Sequence, residues 1–501
     1  MEQVDVIRYS VFLASILLTH LGSLAYRGRE SGVVYIILKI SGYSVLALLA
    51  FYQPLSTLQL VLLLTTIILS TLISLFSIHY SHLKYGARSL AEITDLLAVT
   101  IIMTFASRYL LELILFWLAT ELIGFIAIAY DAFVGINSEA MRASLRYLVF
   151  SMIPTDIALF VMLALAGFER MLTQPLITLT LDLSSPVVTT LVTLGFMSKA
   201  AIAPLHFWLP DAHSLAPSPI SALLSGIMIK MGVYGITILT YYTVDVTTAY
   251  TILLIFSSLT ALYGGLQAVY QRDLKRLLAY SSISHMGAIV MLAAIYLKTQ
   301  DLFFFYAIIA YIAAHAAYKA SLFMDTGVIE LIFHEKLVDK LGYIYRVLPV
   351  ESLAAIFSIL SILGIPPTVG FLAKIWAFSS ILHEIAEESM YFYPLIVLSV
   401  ETALSIAYSA KYLQAHIRPG FSGEVEVKSD VIKLSRYVLV ASLTSLILTL
   451  PLLSTQSSEV KVSIDIIVLY LVSLPIILLT FTSIYMLIRE VIRGREYNVT
   501  A

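Results

Sequence analysis

The stretch LGFMSKAAIAP, residues 194–204, decides the fold, because it places a lysine inside an apolar run and breaks that run soon afterwards. Pro204 follows Lys199 by five residues, and proline cannot donate the hydrogen bond that would continue a helix. A broken helix leaves backbone carbonyls and amides free to bind water or an ion within a membrane. The stretch therefore predicts an interrupted membrane helix that carries one lysine.

A second stretch, GIPPTVGFLAK at residues 364–374, has the reverse order. Here a glycine and two prolines precede Lys374 by about two turns of helix, whereas the break near Lys199 follows the lysine. An inverted repeat would produce this opposite order. Paired broken spans in corresponding halves of a chain point to the translocation site of a transporter.

The composition around these two stretches requires a bilayer as solvent. Of the 501 residues, 60% are hydrophobic and 12% are charged, whereas a soluble domain carries about 25% charged residues. The net charge of −2 gives no indication of nucleic-acid binding. There are no cysteines, which excludes iron–sulfur clusters and thiolate metal sites on this chain. We expect the first apolar run to be a membrane span and not a cleaved signal peptide, because many more spans follow it.

Apolar runs of roughly 20 residues are long enough to cross the bilayer as helices and too long for barrel strands. They predict an all-α polytopic membrane protein with about 14 to 15 transmembrane helices, at residues 9–26, 32–52, 56–78, 91–107, 109–130, 146–167, 187–204, 219–241, 247–269, 276–296, 301–329, 351–378, 391–415, 437–456 and 464–488.

Matching the two broken spans divides the chain into four parts. We expect N-terminal helices 1–3 in residues 1–90 and a first five-helix repeat, helices 4–8, in residues 91–241. An inverted second repeat, helices 9–13, would occupy residues 247–415, with the remaining helices in residues 416–501. Helices 7 and 12 are then the discontinuous ones.

The loops show a strong asymmetry of positive charge. Loops after odd-numbered spans, together with the C-terminus, hold twenty lysines and arginines, and the opposite side holds five: Arg8, Arg108, Arg170, Lys298 and Lys461. The positive-inside rule then predicts an N-terminus outside the cell and a C-terminus in the cytoplasm.

The remaining five basic residues are all lysines inside apolar runs: Lys39, Lys199, Lys230, Lys319 and Lys374. Lysine can lose its proton in a low-dielectric environment, whereas arginine effectively cannot. A buried row of groups that change protonation state would therefore use lysine. The alternative is that such side chains extend to the membrane surface, and we favour it for Lys39, which has no motif around it.

Four acidic residues inside the spans are candidate partners. Glu121 is the natural counter-charge for Lys199, either in proton transfer or as a purely structural ion pair. Asp156 and Glu112 lie nearer the ends of their spans and are secondary candidates. Glu401, in span 13, is a candidate acid near the outer exit.

Histidines complete the predicted row. His315 and Lys319 are four residues apart and share one helix face, and histidine can pass a proton onward at neutral pH. His285, beside several serines, fits a structural role and a relay role equally well. His206, Asp211 and His213 match no strong metal-site spacing, and His383 with Glu384 and Glu387 fits a solvated helix end, so we expect no metal or cofactor site.

Three motifs carry a family resemblance that covers roughly residues 60–420. They are HFWLPDAH with APSPISA from residue 206, DLKRLLAYSSISH from residue 273, and HAAYKASLF from residue 315. Together they resemble the antiporter-like subunits of respiratory complex I, of Mrp-type Na⁺/H⁺ antiporters, and of archaeal membrane-bound hydrogenase and sulfane-sulfur reductase complexes.

The resemblance implies a glutamate–lysine pair, Glu121 and Lys199, in a first half-channel. Lys230 would be the connecting residue, His315 and Lys319 the central relay, and Lys374 the exit-side lysine. The family often has a histidine where this chain has Ser225, so this step would need a bridging water.

Three functions are then open. The first is an ion-translocating subunit, for protons or sodium, of a redox-driven membrane complex in the cell inner membrane, whose other membrane subunits and peripheral redox arm would hold any iron–sulfur clusters. The second is a subunit of an Mrp-type Na⁺/H⁺ antiporter without a redox partner. The third is a structural module that no longer conducts ions. No catalytic residue is expected on this chain.

Overall fold

A computed structural model of the chain describes residues 2–28, 32–52, 55–419 and 429–448, without the side chains of residues 2–4, 429 and 430. The last predicted span, residues 464–488, lies outside these ranges. The first half of the described chain contains α1 (Glu2–Ala25), α2 (Val34–Leu46), α3 (Leu49–Tyr52), α4 (Thr57–Tyr85), α5 (Ser89–Phe105), α6 (Leu110–Ile128), α7 (Tyr130–Phe133), α8 (Glu139–Tyr147), α9 (Ile153–Ala166), α10 (Phe168–Thr173), α11 (Pro186–Lys199), α12 (Trp208–Leu215), α13 (Ser218–Leu223) and α14 (Lys230–Ile238).

The second half contains α15 (Val246–Tyr270), α16 (Leu274–Thr299), α17 (Leu302–Phe333), α18 (Ile344–Val347), α19 (Pro349–Leu363), α20 (Val369–Glu387), α21 (Phe392–Ile417) and α22 (Ser429–Ile447). Two π-helical segments, Leu148–Met152 and Leu224–Met228, join α8 to α9 and α13 to α14. Two short parallel strands, β1 (Asp182–Leu183) and β2 (Thr243–Val244), pair at one end of the helical assembly.

The protein is a multi-pass helical membrane protein. Within the described ranges, eleven helical segments are long and apolar enough to cross a membrane. They correspond to eleven of the fifteen predicted spans. Predicted spans 4 and 7 form the shorter helices α5 and α11, of 17 and 14 residues. The described part of span 14 falls on α22, and residues 449–456 of that span lie outside the described ranges. Of the interrupted span 12, only the half that forms α20 reaches the required length.

The helix that carries Lys199 stops at that residue. Residues 200–204 leave the helix, and Ala201 adopts a left-handed conformation with φ of +56°, which is uncommon for a residue with a Cβ atom. The backbone amide of Ala203 donates to the Thr260 hydroxyl at 2.9 Å, and the Trp208 indole donates to the Ser198 carbonyl at 3.1 Å. These side chains satisfy backbone groups that the interruption leaves without helical partners.

The second interruption separates α19 from α20. Gly364 ends α19 with φ of +72°, and the Thr368 side chain caps the start of α20. A Cβ atom on Gly364 would lie 2.8 Å from the Lys374 side chain. The glycine therefore makes room for the lysine to fold back over the break, and its absent side chain also permits the left-handed turn.

Close helix packing brings the two halves of the site together. Gly232 on α14 is adjacent to the break after α11, where an added Cβ would overlap the Ala200 amide nitrogen. This contact holds the Lys230 helix against the Lys199 helix. Helix α17, of 32 residues, packs against α4, α16, α19, α20 and α22, and so carries His315 and Lys319 through the centre of the described helices.

Two expectations about charged residues are wrong. Lys39 does not extend to the membrane surface: its side chain is fully buried and forms an ion pair with Asp95, which also accepts a hydrogen bond from Tyr43 at 2.9 Å. Arginine is not confined to loops either, because Arg8 is fully buried within α1 and donates to Glu112 at 2.7 Å. In both cases a carboxylate on a neighbouring helix offsets the cost of burying the charge.

We expect the Lys39–Asp95 pair to stabilise the N-terminal helices. Changing Lys39→Met leaves the Asp95 charge buried without its partner and should lower the free energy of unfolding by about 3–5 kcal/mol. Thermal unfolding of the purified protein in detergent measures the loss. The double variant K39M/D95N removes both charges and keeps an acceptor for Tyr43, so it should regain most of the stability. A double variant as unstable as K39M would contradict this role.

Candidate functional site

Glu121 and Lys199 meet at the centre of the first predicted repeat. The Lys199 ammonium on α11 donates to Glu121 Oε1 on α6 at 2.9 Å and to the Tyr147 hydroxyl on α8 at 2.8 Å. The Trp117 indole donates to the same carboxylate oxygen at 3.1 Å. All four side chains are fully buried. The lysine therefore has one charged and one neutral partner, and each comes from a different helix.

Asp156, a secondary candidate, belongs to this cluster. It lies on α9, and its carboxyl group interacts with both Glu121 and Lys199. Two carboxyl groups and one ammonium group cannot all be charged without an excess of negative charge in a low-dielectric interior. The cluster can therefore hold a proton at more than one place.

The central pair is Lys230 and His315. Lys230 Nζ on α14 lies 2.5 Å from His315 Nδ1 on α17 and also donates to the Ser225 carbonyl oxygen. The Ser225 hydroxyl lies 2.8 Å from the Ser282 hydroxyl on α16. Lys230 thus contacts His315 directly, and Ser225 contacts Lys230 through its backbone carbonyl.

Lys319 lies one turn beyond His315 on α17. Its ammonium donates to the Ser281 hydroxyl and to the Leu278 carbonyl, the latter at 2.9 Å. The carbonyl of Ser281 in turn accepts a hydrogen bond from His285 Nδ1 at 2.7 Å. One serine therefore bonds the lysine through its side chain and the histidine through its backbone.

His285 connects this centre to the last candidates. Its Nε2 lies 3.6 Å from the Glu401 carboxylate on α21, and the Tyr408 hydroxyl lies within 3.4 Å of both ring nitrogens. Lys374 lies within electrostatic range of Glu401 and is 3.4 Å from the Ser405 hydroxyl. Glu401 is therefore close to both a histidine and a lysine, each on a different helix.

The hydrogen bonds do not form a continuous row. Within the described ranges, none joins Lys199 to Lys230, and His315 Nε2 has no hydrogen-bond partner toward Lys319. A Cβ atom on Gly124 would lie 3.4 Å from the Tyr147 hydroxyl and 3.5 Å from the Met228 sulfur, so these two side chains approach each other beside the Lys199 cluster. A proton would therefore need water between the two groups to pass from Lys199 to Lys230.

Glu112 is separate from this row. Its carboxylate accepts hydrogen bonds from the Arg8 side chain and from the Arg108 backbone amide, each at 2.7 Å. These contacts tie α6 to α1 and cap the start of α6. Their geometry indicates a structural role.

Several buried polar residues lie in or near the row without having been singled out from the sequence. Tyr147 contacts Lys199, and Tyr408 contacts His285. Ser281, which contacts Lys319, is one of the serines already noted beside His285. A further buried cluster lies beyond Lys319 on α17, where Asp325 accepts a hydrogen bond from Tyr412 at 2.5 Å and contacts His416 at 3.1 Å. Periodicity on α17 could have indicated Asp325, but tyrosines are too common in membrane helices to be informative.

The possible metal ligands do not converge. Asp211 pairs with Arg146 and with Arg276, the latter at 3.1 Å. In the part of the chain that the structure describes, no group of three or more histidine, aspartate or glutamate side chains is arranged to hold a metal ion.

The similarity to known proteins covers the same region of the chain as this row of residues. Residues 111–405 match the family described as NADH:quinone oxidoreductase/Mrp antiporter, TM. The chain is 37% identical over 203 residues to a Na⁺/H⁺ antiporter subunit of Alkalihalophilus pseudofirmus, covering 38% of this chain and 25% of that protein. It is 31% identical over 267 residues to NADH-quinone oxidoreductase subunit N of Desulforudis audaxviator, covering 51% of each. The alignments thus span between a quarter and a half of these relatives.

A solved structure has a similar fold. The chain superposes on a chain of the Mrp complex from Dietzia sp. DQ12-45-1b with a TM-score of 0.66, covering 94% of this chain and 59% of the other. The two sequences are 19% identical, so this likeness concerns the fold alone.

Proposed function

The chain belongs to the NADH:quinone oxidoreductase/Mrp antiporter transmembrane family, and from this premise we propose that it translocates protons or sodium ions as one member of a membrane complex. The ions would move along Glu121, Lys199, Lys230, His315, Lys319 and Lys374, assisted by Asp156, His285 and Glu401. Glu112 is left out, because its contacts with Arg8 and the start of α6 account for its burial.

The contact between Lys230 and His315 is the observation that carries this proposal. Two groups that both bind protons lie 2.5 Å apart and fully buried, and none of their hydrogen-bond partners among the described residues is a carboxylate. Such an arrangement is costly in a membrane protein, where buried ionisable residues usually mark ion pathways. A direct nitrogen–nitrogen contact is also the geometry that proton transfer requires.

A change in the pairing of the Glu121 carboxylate with Lys199 would drive proton movement along the row. While the carboxylate is paired with Lys199, it favours the protonated lysine. A conformational change or charge movement in a neighbouring protein of the complex that separates the pair would release the Lys199 proton toward Lys230 through water. The proton would then pass through His315 and Lys319 to His285 and leave through Glu401 and Lys374.

Two kinds of complex are candidates for the one to which the chain belongs. One is a redox-driven complex, with further antiporter-like and small membrane subunits and a peripheral arm that holds iron–sulfur clusters. The other is an Mrp-type Na⁺/H⁺ antiporter. The similarity to a Na⁺/H⁺ antiporter protein favours the second as strongly as the similarity to an NADH-quinone oxidoreductase protein favours the first. The chain itself would hold no cofactor in either.

The topology belongs to the same proposal. Residues 91–241 and 247–415 would form the two inverted repeats, between the N-terminal helices of residues 1–90 and the C-terminal residues 416–501. The distribution of lysine and arginine would place the N-terminus outside the cell membrane and the C-terminus in the cytoplasm.

Purification of the complex should separate the two candidates. We expect mass spectrometry of the co-purifying subunits to reveal further antiporter-like membrane subunits. Subunits with iron–sulfur motifs would assign the redox-driven complex, whereas their absence, with Na⁺-dependent proton flux in inverted membrane vesicles, would assign the antiporter. The proposed function would be contradicted if the chain purifies without other subunits and gives no ion flux in inverted membrane vesicles.

A further inference from the structure

His213 is a buried histidine outside the proposed row. Its side chain on α12 is fully buried, and its ring stacks on Phe323 with a centroid distance of 4.6 Å. Neither ring nitrogen has a hydrogen-bond partner within the described ranges. An imidazole without partners loses its hydration when it is buried, and this loss is not recovered by stacking. Both nitrogens of such a group are available to accept or donate a proton, and the position of the group decides whether it can do so.

The surroundings of His213 connect the central relay to one end of α16. The ring lies within electrostatic range of the ammonium groups of Lys319, Lys230 and Lys275 and of the His315 imidazole. Lys275 lies in the first turn of α16, and Ser281, the partner of Lys319, lies six residues and about 9 Å further along the same helix. His213 therefore stands beside the gap between Lys275 and Lys319.

On the Lys275 side, this gap adjoins an open cavity. Lys275 forms an ion pair with Glu330 at 2.9 Å, and one-fifth of the Glu330 side chain is exposed. Glu330 and Tyr80 line a cavity of about 550 Å³ together with Lys84 and His334. Tyr80 interacts in turn with Lys275 and Glu330. The cavity lies at the end of α17 that precedes the basic loop containing Lys336 and Lys340, on the side proposed to be cytoplasmic.

We propose that His213 is a proton-uptake residue that connects the cavity at Glu330 and Lys275 to Lys319. This inference rests on the proposed function and adds a lateral supply of protons to the middle of the row. Protons would reach the centre without passing Glu121 and Lys199. The two unpartnered nitrogens are what such a role requires, because one must receive a proton while the other gives one up.

The transfer leaves the histidine unchanged overall. A proton from the Glu330–Lys275 pair or from cavity water binds one ring nitrogen, and the proton on the other nitrogen leaves toward Lys319 once that lysine has passed its own proton on. The ring is neutral before and after the step. Reversal of the tautomer, or rotation of the ring against Phe323, prepares it for the next proton.

The test compares two buried histidines of the same motif. H213F keeps an aromatic ring against Phe323 but cannot bind a proton. H206F is the matched control, because His206 is 95% buried, also lacks hydrogen-bond partners within the described ranges and packs against Phe207 and Tyr263. Proton translocation is measured in inverted membrane vesicles that contain the assembled complex, over a range of pH at the face that adjoins Glu330.

We expect H213F to translocate at least about tenfold more slowly than wild type at neutral pH, and H206F to remain within about twofold. The H213F rate should recover by up to about tenfold for each unit of lower pH, because a higher proton concentration compensates for a missing uptake residue. H213F at more than half the wild-type rate would overturn the inference, and so would a loss that acid does not relieve. If H213F does not assemble, H213N is judged by the same criteria. A wild-type rate in K319A would instead refute the proposed function.

Discussion

Replacing Lys319 by alanine is expected to slow ion translocation about a hundredfold or more, because removal of a positioned proton carrier typically costs roughly 10²–10⁴ in rate. Lys319 is fully buried, donates to Ser281 and to the Leu278 carbonyl, and lies one helical turn from His315 on α17. Alanine removes the proton-binding amine at this point of α17. Proton flux in inverted membrane vesicles, normalised to the amount of assembled complex, measures the effect.

Two companion variants separate proton transfer from charge and packing. K319R keeps a positive charge, but arginine effectively never releases its proton, so the flux should remain low. S321A changes a buried residue of the same helix whose hydroxyl donates to the Val438 carbonyl at 3.1 Å, outside the row. It should translocate normally. Restoration of flux by K319R would mean that the site needs only a fixed charge.

Replacing Glu121 by glutamine should lower translocation at least about tenfold while the complex still assembles. Glutamine has nearly the same shape and can still accept hydrogen bonds from Lys199 and the Trp117 indole, but it carries no charge to favour the protonated lysine. The driving force that charge movement at this position exerts on Lys199 is thereby lost. Flux is compared with the amount of complex on a native gel.

Glu112→Gln provides the matched control for this variant. Glu112 lies on the same helix, is 5% exposed, and binds an arginine where Glu121 binds a lysine. Because Arg8 cannot take part in proton transfer, E112Q should leave the flux per assembled complex unchanged. Normal flux in E121Q would remove Glu121 from the mechanism, and equal losses in both variants would reduce it to a structural ion pair.

The helical membrane fold followed from the sequence because long apolar runs have few alternatives in a bilayer. The breaks after Lys199 and before Lys374 could be anticipated from Pro204, Gly364 and Pro366, since these residues interrupt helices for steric reasons. The pairing of Glu121 with Lys199 was expected as well, because an unpaired buried charge needs a counter-charge nearby. The inverted repeat and the functional roles of these residues stay predictions.

Other features depend on contacts between distant helices, which a local pattern does not contain. The partner of Lys39 is Asp95, three helices along the chain, and Arg8 meets Glu112 across more than a hundred residues. The direct contact of Lys230 with His315 depends on how closely α14 and α17 pack. His213 could be found only by observing that its nitrogens lack partners, because the same motif is compatible with an ordinary buried turn.

A cryo-electron microscopy map of the assembled complex, at a resolution that reveals ordered water, tests the central claim most directly. If protons pass along the buried row, waters should link the Lys199 ammonium to Lys230 past Tyr147 and Met228, in at least one functional state. The map should also retain the contact between Lys230 and His315. A dry apolar seal between the two lysines in every state, with their side chains directed away from each other, would contradict the account.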